Sequence, residues 1–161
     1  MEASDKKQNP TLWLKALAGV FGVAAILTYT AWEMDFSTPI PFQKLPAEAQ
    51  TFLEKSMPGR MPVLVKREYE EFRITYEVIF SEGEKFEFRR NGVWKKIDLR
   101  HKPLPDSLIP APIREFMARN RFGTHITKIK HSKNTYEIET DNSREFYFDD
   151  RAFFLKDADM D

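Results

Sequence analysis

Phe72-Arg73-Ile74-Thr75-Tyr76-Glu77-Val78-Ile79-Phe80 decides how this chain is read. Phe72, Ile74, Tyr76, Val78 and Phe80 alternate with Arg73, Thr75, Glu77 and Ile79. Side chains of a strand point to opposite faces in turn, so this period of two predicts a strand with one buried face and one wet face. Tyr76-Glu77-Val78 returns sixty residues later as Tyr136-Glu137-Ile138. Phe86-Glu87-Phe88 returns at the same offset as Phe146-Tyr147-Phe148, and Val93-Trp94 as Phe153-Phe154. Leu45-Pro46 returns at fifty-nine as Leu104-Pro105. Matches in one order at nearly one spacing indicate an internal duplication.

Outward from the strand, each copy shows the same grammar. Ser81-Glu82-Gly83 turns the chain toward Phe86 and Phe88, which alternate with Lys85, Glu87 and Arg89. Asn91-Gly92 reads as a hairpin turn, because both residues tolerate positive φ. Val93 to Asp98 closes the copy. The second copy predicts strands near Thr124–His131, Thr135–Thr140, Arg144–Asp149 and Ala152–Asp157. A helix opens each copy at its Leu-Pro. Leu45, Ala49, Phe52, Leu53 and Ser56 share one face of the first, which Pro58-Gly59 ends. Ile109, Ile113, Phe116 and Met117 form the stripe of the second, where Pro110 and Pro112 fit only the first turn. The expected fold is α+β: two tandem repeats, residues 45–101 and 102–161, each a helix packed on a four-stranded antiparallel sheet.

The N-terminus differs in character. Leu12 to Trp32 is apolar except for Lys15, long enough for a helix to cross a bilayer. Lys6 and Lys7 precede it and Glu33 and Asp35 follow, which places the bulk of the chain outside the cytoplasm. Residues 1–35 are therefore expected to be a hydrophobic helix, either a retained anchor or a cleaved export signal. A cut after Ala31 would put Tyr29 where a small residue is wanted, which favours the anchor. Residues 36–44, with Pro39 and Pro41, read as a linker.

Several stretches resemble the PepSY-like family of beta-lactamase-inhibitor-like envelope proteins. They are Trp94-Lys95-Lys96-Ile97-Asp98, Pro103-Leu104-Pro105, Ile109-Pro110-Ala111-Pro112-Ile113, Tyr136-Glu137-Ile138 and Phe146-Tyr147-Phe148-Asp149. The resemblance spans about residues 42–157. It implies a tandem helix-plus-four-strand module, secreted or periplasmic, with a suggestion of peptidase regulation. Two departures stand out. Arg89 takes the place of the aspartate usual after the second phenylalanine, and Ala152 stands where the family has a turn glycine.

The residues exclude more chemistry than they offer. Cysteine is absent, which removes disulfides and thiolate sites. Lysine plus arginine and aspartate plus glutamate are 25 each, so the basic excess of a nucleic-acid binder is missing. His101, His125 and His131 lack metal-ligand spacing, and no phosphate loop or Gly-flanked nucleophilic serine occurs. Asp157, Asp159 and Asp161 begin like a calcium loop but lack its glycine and closing glutamate. No cofactor, metal or enzymatic activity is expected. The expected function is non-enzymatic binding of an unidentified envelope protein through the open sheet face, with inhibition or regulation of a partner such as a peptidase as what the resemblance implies. Its candidates are Glu77, Ile79, Glu87 and Arg89 in the first copy and Glu137, Glu139 and Tyr147 in the second. Ile79 and Tyr147 are singled out because each puts an apolar or aromatic group where the pattern expects a polar one. The alternative is an accessory subunit that contacts the membrane and its partner through residues 12–32, where Ala18 and Gly22 give a small-xxx-small face.

Overall fold

The computed structural model describes residues 36–70, 73–120, 122 and 124–158. The expected helix at residues 12–32 lies outside these. Among the described residues nine strands run as an antiparallel meander in strict chain order. They are β1 (Phe36–Pro39), β2 (Leu64–Glu70), β3 (Arg73–Ile79), β4 (Lys85–Arg89), β5 (Trp94–Asp98), β6 (Ile126–His131), β7 (Thr135–Thr140), β8 (Glu145–Asp149) and β9 (Phe154–Asp157). Two α-helices of the described residues interrupt the meander, α1 (Ala47–Ser56) before β2 and α2 (Ala111–Asn120) before β6.

This corrects the expected architecture. Two separate units, each a helix on its own four-stranded sheet, do not form. Strand β5 pairs with β6 through Lys96↔Lys130, Ile97↔Ile129 and Asp98↔Lys128, and the ladder continues unbroken from edge to edge. The physical reason is edge pairing: a bare β5 would leave a row of unpaired backbone groups, and β6 satisfies them. Residues 36–44 are also not simply a linker. Phe36–Pro39 pairs with β2, and Phe42–Lys44 makes a 3-10 turn. Pro39 suits this edge position, since it has no N–H to donate. Leu64–Glu70 is the strand for which the sequence pattern offered no clear alternation.

Each strand sends alternate side chains to the helix side. Val78, Phe86, Phe88, Ile97, Ile129, Ile138, Phe146 and Phe148 are buried there with Ala49, Leu53 and Ile113 of the helices. Phe52 of α1 meets Phe86 and Phe88 edge-on at ring-centre distances of 6.3 and 5.8 Å. Phe116 of α2 stacks on Phe154 at 4.4 Å and meets Phe148 edge-on at 5.4 Å. Burying each such phenylalanine contributes about 1.5–3 kcal/mol. These phenylalanines therefore form core rather than a ligand pocket.

Matching hairpins close differently. Gly92 has φ +88°, and a Cβ there would lie 2.9 Å from Glu48 Cβ, so α1 packs directly over this turn. Ala152 takes the same left-handed conformation, φ 64°, in the β8–β9 turn. Asp149 stabilises that turn, its Oδ1 accepting from the N–H groups of Arg151 and Phe153 at 3.0 and 2.8 Å. The chain thus keeps the turn without the glycine.

At the opposite end of the sheet a carboxylate is sealed in. Glu84 is 1% exposed and accepts a two-pronged hydrogen bond from Arg60 at 2.7 and 3.1 Å and one from Lys102 at 3.0 Å. It ties the exit of α1 to the β3–β4 turn and to the segment entering α2. The Arg60 hydrogen bond, aided by Lys102 and opposed by burial, holds the Glu84 carboxyl at about 2, down from 4.5. The equivalent corner near β9 reverses the polarity: Arg144 bonds the buried Asp157. Asp157 is thereby committed to an arginine and does not resemble the first ligand of a calcium loop.

Candidate binding surface

No described helix covers the other face of the sheet. The alternation that sends phenylalanines inward sends charges outward, and the register aligns opposite signs on neighbouring strands. Glu77 on β3 lies between Lys66 on β2, at 2.6 Å, and Lys85 on β4, at 3.7 Å. Glu87 on β4 faces Lys95 and Lys96 on β5, each at 3.4 Å. Both lysines reach it because a bulge in the β4–β5 ladder turns them to the same side. Glu137 on β7 meets Lys130 on β6 at 3.1 Å, and Glu139 meets Lys128. Hydrogen bonds to Glu77 and Glu68 raise Lys66 above its ordinary pKa. Burial pushes Lys128 down, but the hydrogen bond it donates to Glu139 and the charges around it carry it above its ordinary value.

The sequence candidates therefore share one face but are not free groups. Glu77, Glu87, Glu137 and Glu139 are each engaged by a lysine of the next strand. Ile79 is half-buried at the end of β3, between Leu64 and Lys85. Tyr147 sits half-buried on β8, its hydroxyl donating to Glu145 at 3.1 Å with the Lys156 ammonium 5.0 Å from its ring centre. Burial and Glu145 raise the pKa of this phenol. Arg89 plays a different part: it donates to the carbonyls of Trp94 at 2.8 Å and His131 at 2.5 Å, stitching β4 to β5 and β6.

Arg89 also belongs to a feature that the strand pattern did not reveal. A cleft of about 990 Å³ opens where the β2–β3, β4–β5 and β6–β7 hairpins turn. Tyr69, Arg73, Ile74 and Thr75 line it from the first hairpin. Arg89, Arg90 and Lys95 line it from the second, and His131, Ser132 and Lys133 from the third. His131 stacks on Tyr136 with ring centres 4.2 Å apart. Burial and then the Arg89 charge push this imidazole below its ordinary pKa, against a smaller pull from Asp150. The available signal was basic residues at successive hairpins, but it becomes legible only once the meander places those hairpins at one end. A smaller groove of about 450 Å³ beside α2 carries both signs, with Asp106, Arg114, Glu115 and His125 among its walls. Among the described residues no group of acids and histidines could hold a metal ion.

Residues 74–156, just over half the chain, match the family described as "Putative beta-lactamase-inhibitor-like, PepSY-like". The chain belongs to the PepSY-like family. Solved structures are also similar to the chain. A "putative calcium-regulated periplasmic protein" of Bacteroides thetaiotaomicron is 30% identical with a TM-score of 0.73, covering 76% of this chain and 97% of its own. A "putative periplasmic protein of unknown function" of Bacteroides vulgatus is 31% identical with a TM-score of 0.72, covering 78% of this chain and all of its own. A second periplasmic relative from B. vulgatus is 29% identical with a TM-score of 0.73, covering 76% of this chain and 97% of its own. No curated protein matches the sequence.

Proposed function

We propose that this PepSY-like chain is a non-enzymatic binding protein of the cell envelope that works outside the cytoplasm and holds a protein partner against the open side of its sheet. The observation that carries this reading is the open face itself: a broad surface, uncovered by any described helix, on which glutamates and lysines of neighbouring strands pair across β2 to β5 and across β6 and β7. Cross-strand ion pairs of this partly exposed kind are worth only about 0–1 kcal/mol each, so a partner of matching pattern can exchange them at little cost. Rows held in place also lose little rotamer freedom on binding. Tyr147 adds an aromatic contact of the type that concentrates binding energy. The relatives described as periplasmic, and the apolar run Leu12 to Trp32 behind a basic flank, support the location. The family description supports inhibition or regulation of the partner as the outcome.

The test is a cross-linking capture from native membranes with the full-length chain as bait and an Ile79→Lys/Tyr147→Lys variant beside it. A specific envelope protein captured by the parent and lost by the variant supports the sheet-face reading. Equal capture by both moves the contact to residues 12–32 and rejects it.

A further inference from the structure

We infer that the outer edge of β9 takes an extended segment of the protein partner as a tenth strand, with apolar side chains of that segment against Phe153 and Leu155 and a carboxylate opposite Lys156. The inference rests on the reading of the chain as a protein-binding module, and it names where, and in what conformation, that module grips its partner.

The duplication supplies the first ground. At the sixty-residue offset β9 corresponds to β5, with Leu155 in the place of Lys95, Lys156 in the place of Lys96, and Tyr147 on β8 in the place of Glu87 on β4. The backbone repeats as well. The β4–β5 ladder shifts register between Glu87 and Phe88, and the β8–β9 ladder shifts between Tyr147 and Phe148. A bulge can spoil an edge for further pairing. This one does not, because β5 adjoins the same bulge on its inner side and still takes β6 along its outer side, with Ile97 facing Ile129. Leu99 continues that seam, its N–H donating to the Thr127 carbonyl at 2.9 Å. The chain therefore contains an occupied counterpart of the β9 edge, and the occupant is an antiparallel strand. Among the described residues β9 is the last strand of the sheet, beside β8.

The side chains supply the second ground. In the first repeat the three positions form an ion cluster, Glu87 with Lys95 and Lys96 at 3.4 Å each. In the second repeat two of those charges have become a tyrosine and a leucine at the rim of the sheet. Leu155 is 54% exposed, and Phe153, in the turn just before β9, is 64% exposed. Large apolar groups gathered in the open on one edge mark a contact surface. The Lys156 ammonium lies 5.0 Å from the Tyr147 ring centre, which sets a cation at the same rim. In the internal seam Lys96 faces Lys130, a like-charge pair that Glu87 and Glu137 neutralise. Tyr147 has no such charge to offer Lys156, so a carboxylate suits the facing position. A strand added here gains main-chain hydrogen bonds, and its alternate side chains read the rim. The opposite edge suits a strand less, because Pro39 in β1 has no N–H to donate.

The test uses the purified full-length chain in a non-ionic detergent and a dye-labelled peptide that copies residues 124–132, the β6 stretch, with Lys128→Glu and Lys130→Glu. Binding is read by fluorescence anisotropy and its place by hydrogen exchange. The parent should bind the peptide, and the β9 amides should then exchange more slowly. A Leu155→Glu/Lys156→Glu variant, altered only at exposed positions, should lose about tenfold or more of the affinity. Arg114→Glu, on α2, should leave it unchanged. The same peptide with Ile129→Pro, which cannot pair along its length, should not bind. The assignment is overturned if the β9 variant binds as the parent does, or if the proline peptide or the unaltered lysine copy binds as tightly. It is also overturned if the β9 amides of the chain alone already exchange as slowly as those of β5, since its own residues or a second copy then hold the edge. A peptide that ignores the β9 variant, together with a membrane capture still lost on Ile79→Lys/Tyr147→Lys, would remove the edge assignment and leave the partner reading standing.

Discussion

Replacing Glu84 by glutamine tests whether one sealed carboxylate holds three loops together. The carboxyl is drawn from 4.5 to about 2 by Arg60 and Lys102, with burial opposing them. At 1.36 kcal/mol per pH unit, that corresponds to ~3 kcal/mol of folding stability for the ionised group. The folded-state pKa is depressed, so this stability is fully present above about 4.5 and is lost as pH falls through about 2. Glutamine keeps the shape and one acceptor oxygen but not the charge, so Glu84→Gln should cost about 2–3 kcal/mol near neutral pH. The assay is urea unfolding followed by far-ultraviolet circular dichroism, on parent and variant, at pH 7, 4 and 2.5. The gap between the two proteins should be widest at pH 7 and shrink steadily toward pH 2.5. A gap below about 0.5 kcal/mol at pH 7, or one that does not change with pH, would refute the reasoning.

Three further predictions follow from the fold. Gly92→Ala should destabilise the protein by about 1–2 kcal/mol or more, through positive φ and the 2.9 Å approach to Glu48. Ala152→Gly should be neutral to slightly stabilising, and thermal melts of the two variants decide both. Phe88→Ala and Phe148→Ala should each cost about 3–5 kcal/mol and lower one common unfolding transition, because both belong to a single sheet and core; two separate transitions in denaturant would contradict it.

Much of the fold is readable from particular residues. The alternation around Tyr76 and Tyr136 located β3 and β7, Asn91-Gly92 located a hairpin, and the Leu45 and Ile109 stripes located both helices, all features of short range. The joining of the halves was not legible, because the β5–β6 pairing depends on which edge groups find each other across an intervening helix. Lys96, Ile97 and Asp98 look the same whether their outer edge is bare or paired. Strand β2 was hidden for a related reason: Lys66, Arg67 and Glu68 carry charge on both faces at a margin of the sheet, which blurs the period of two. The open-face residues were placed on the correct side by alternation. Their engagement by lysines of neighbouring strands depends on register, and so does the gathering of Arg73, Arg89, Arg90 and Lys133 at one cleft.

The most direct test of the binding account is site-specific photo-cross-linking in living cells. A photoreactive amino acid is placed in the full-length chain at position 147 on the open face, at 155 on the β9 edge, and at 114 on the helix side. The account predicts adducts of one shared mass from positions 147 and 155 and none from 114. Adducts from 114 alone, or none from 147 and 155 while a reagent within residues 12–32 captures a partner, would contradict it.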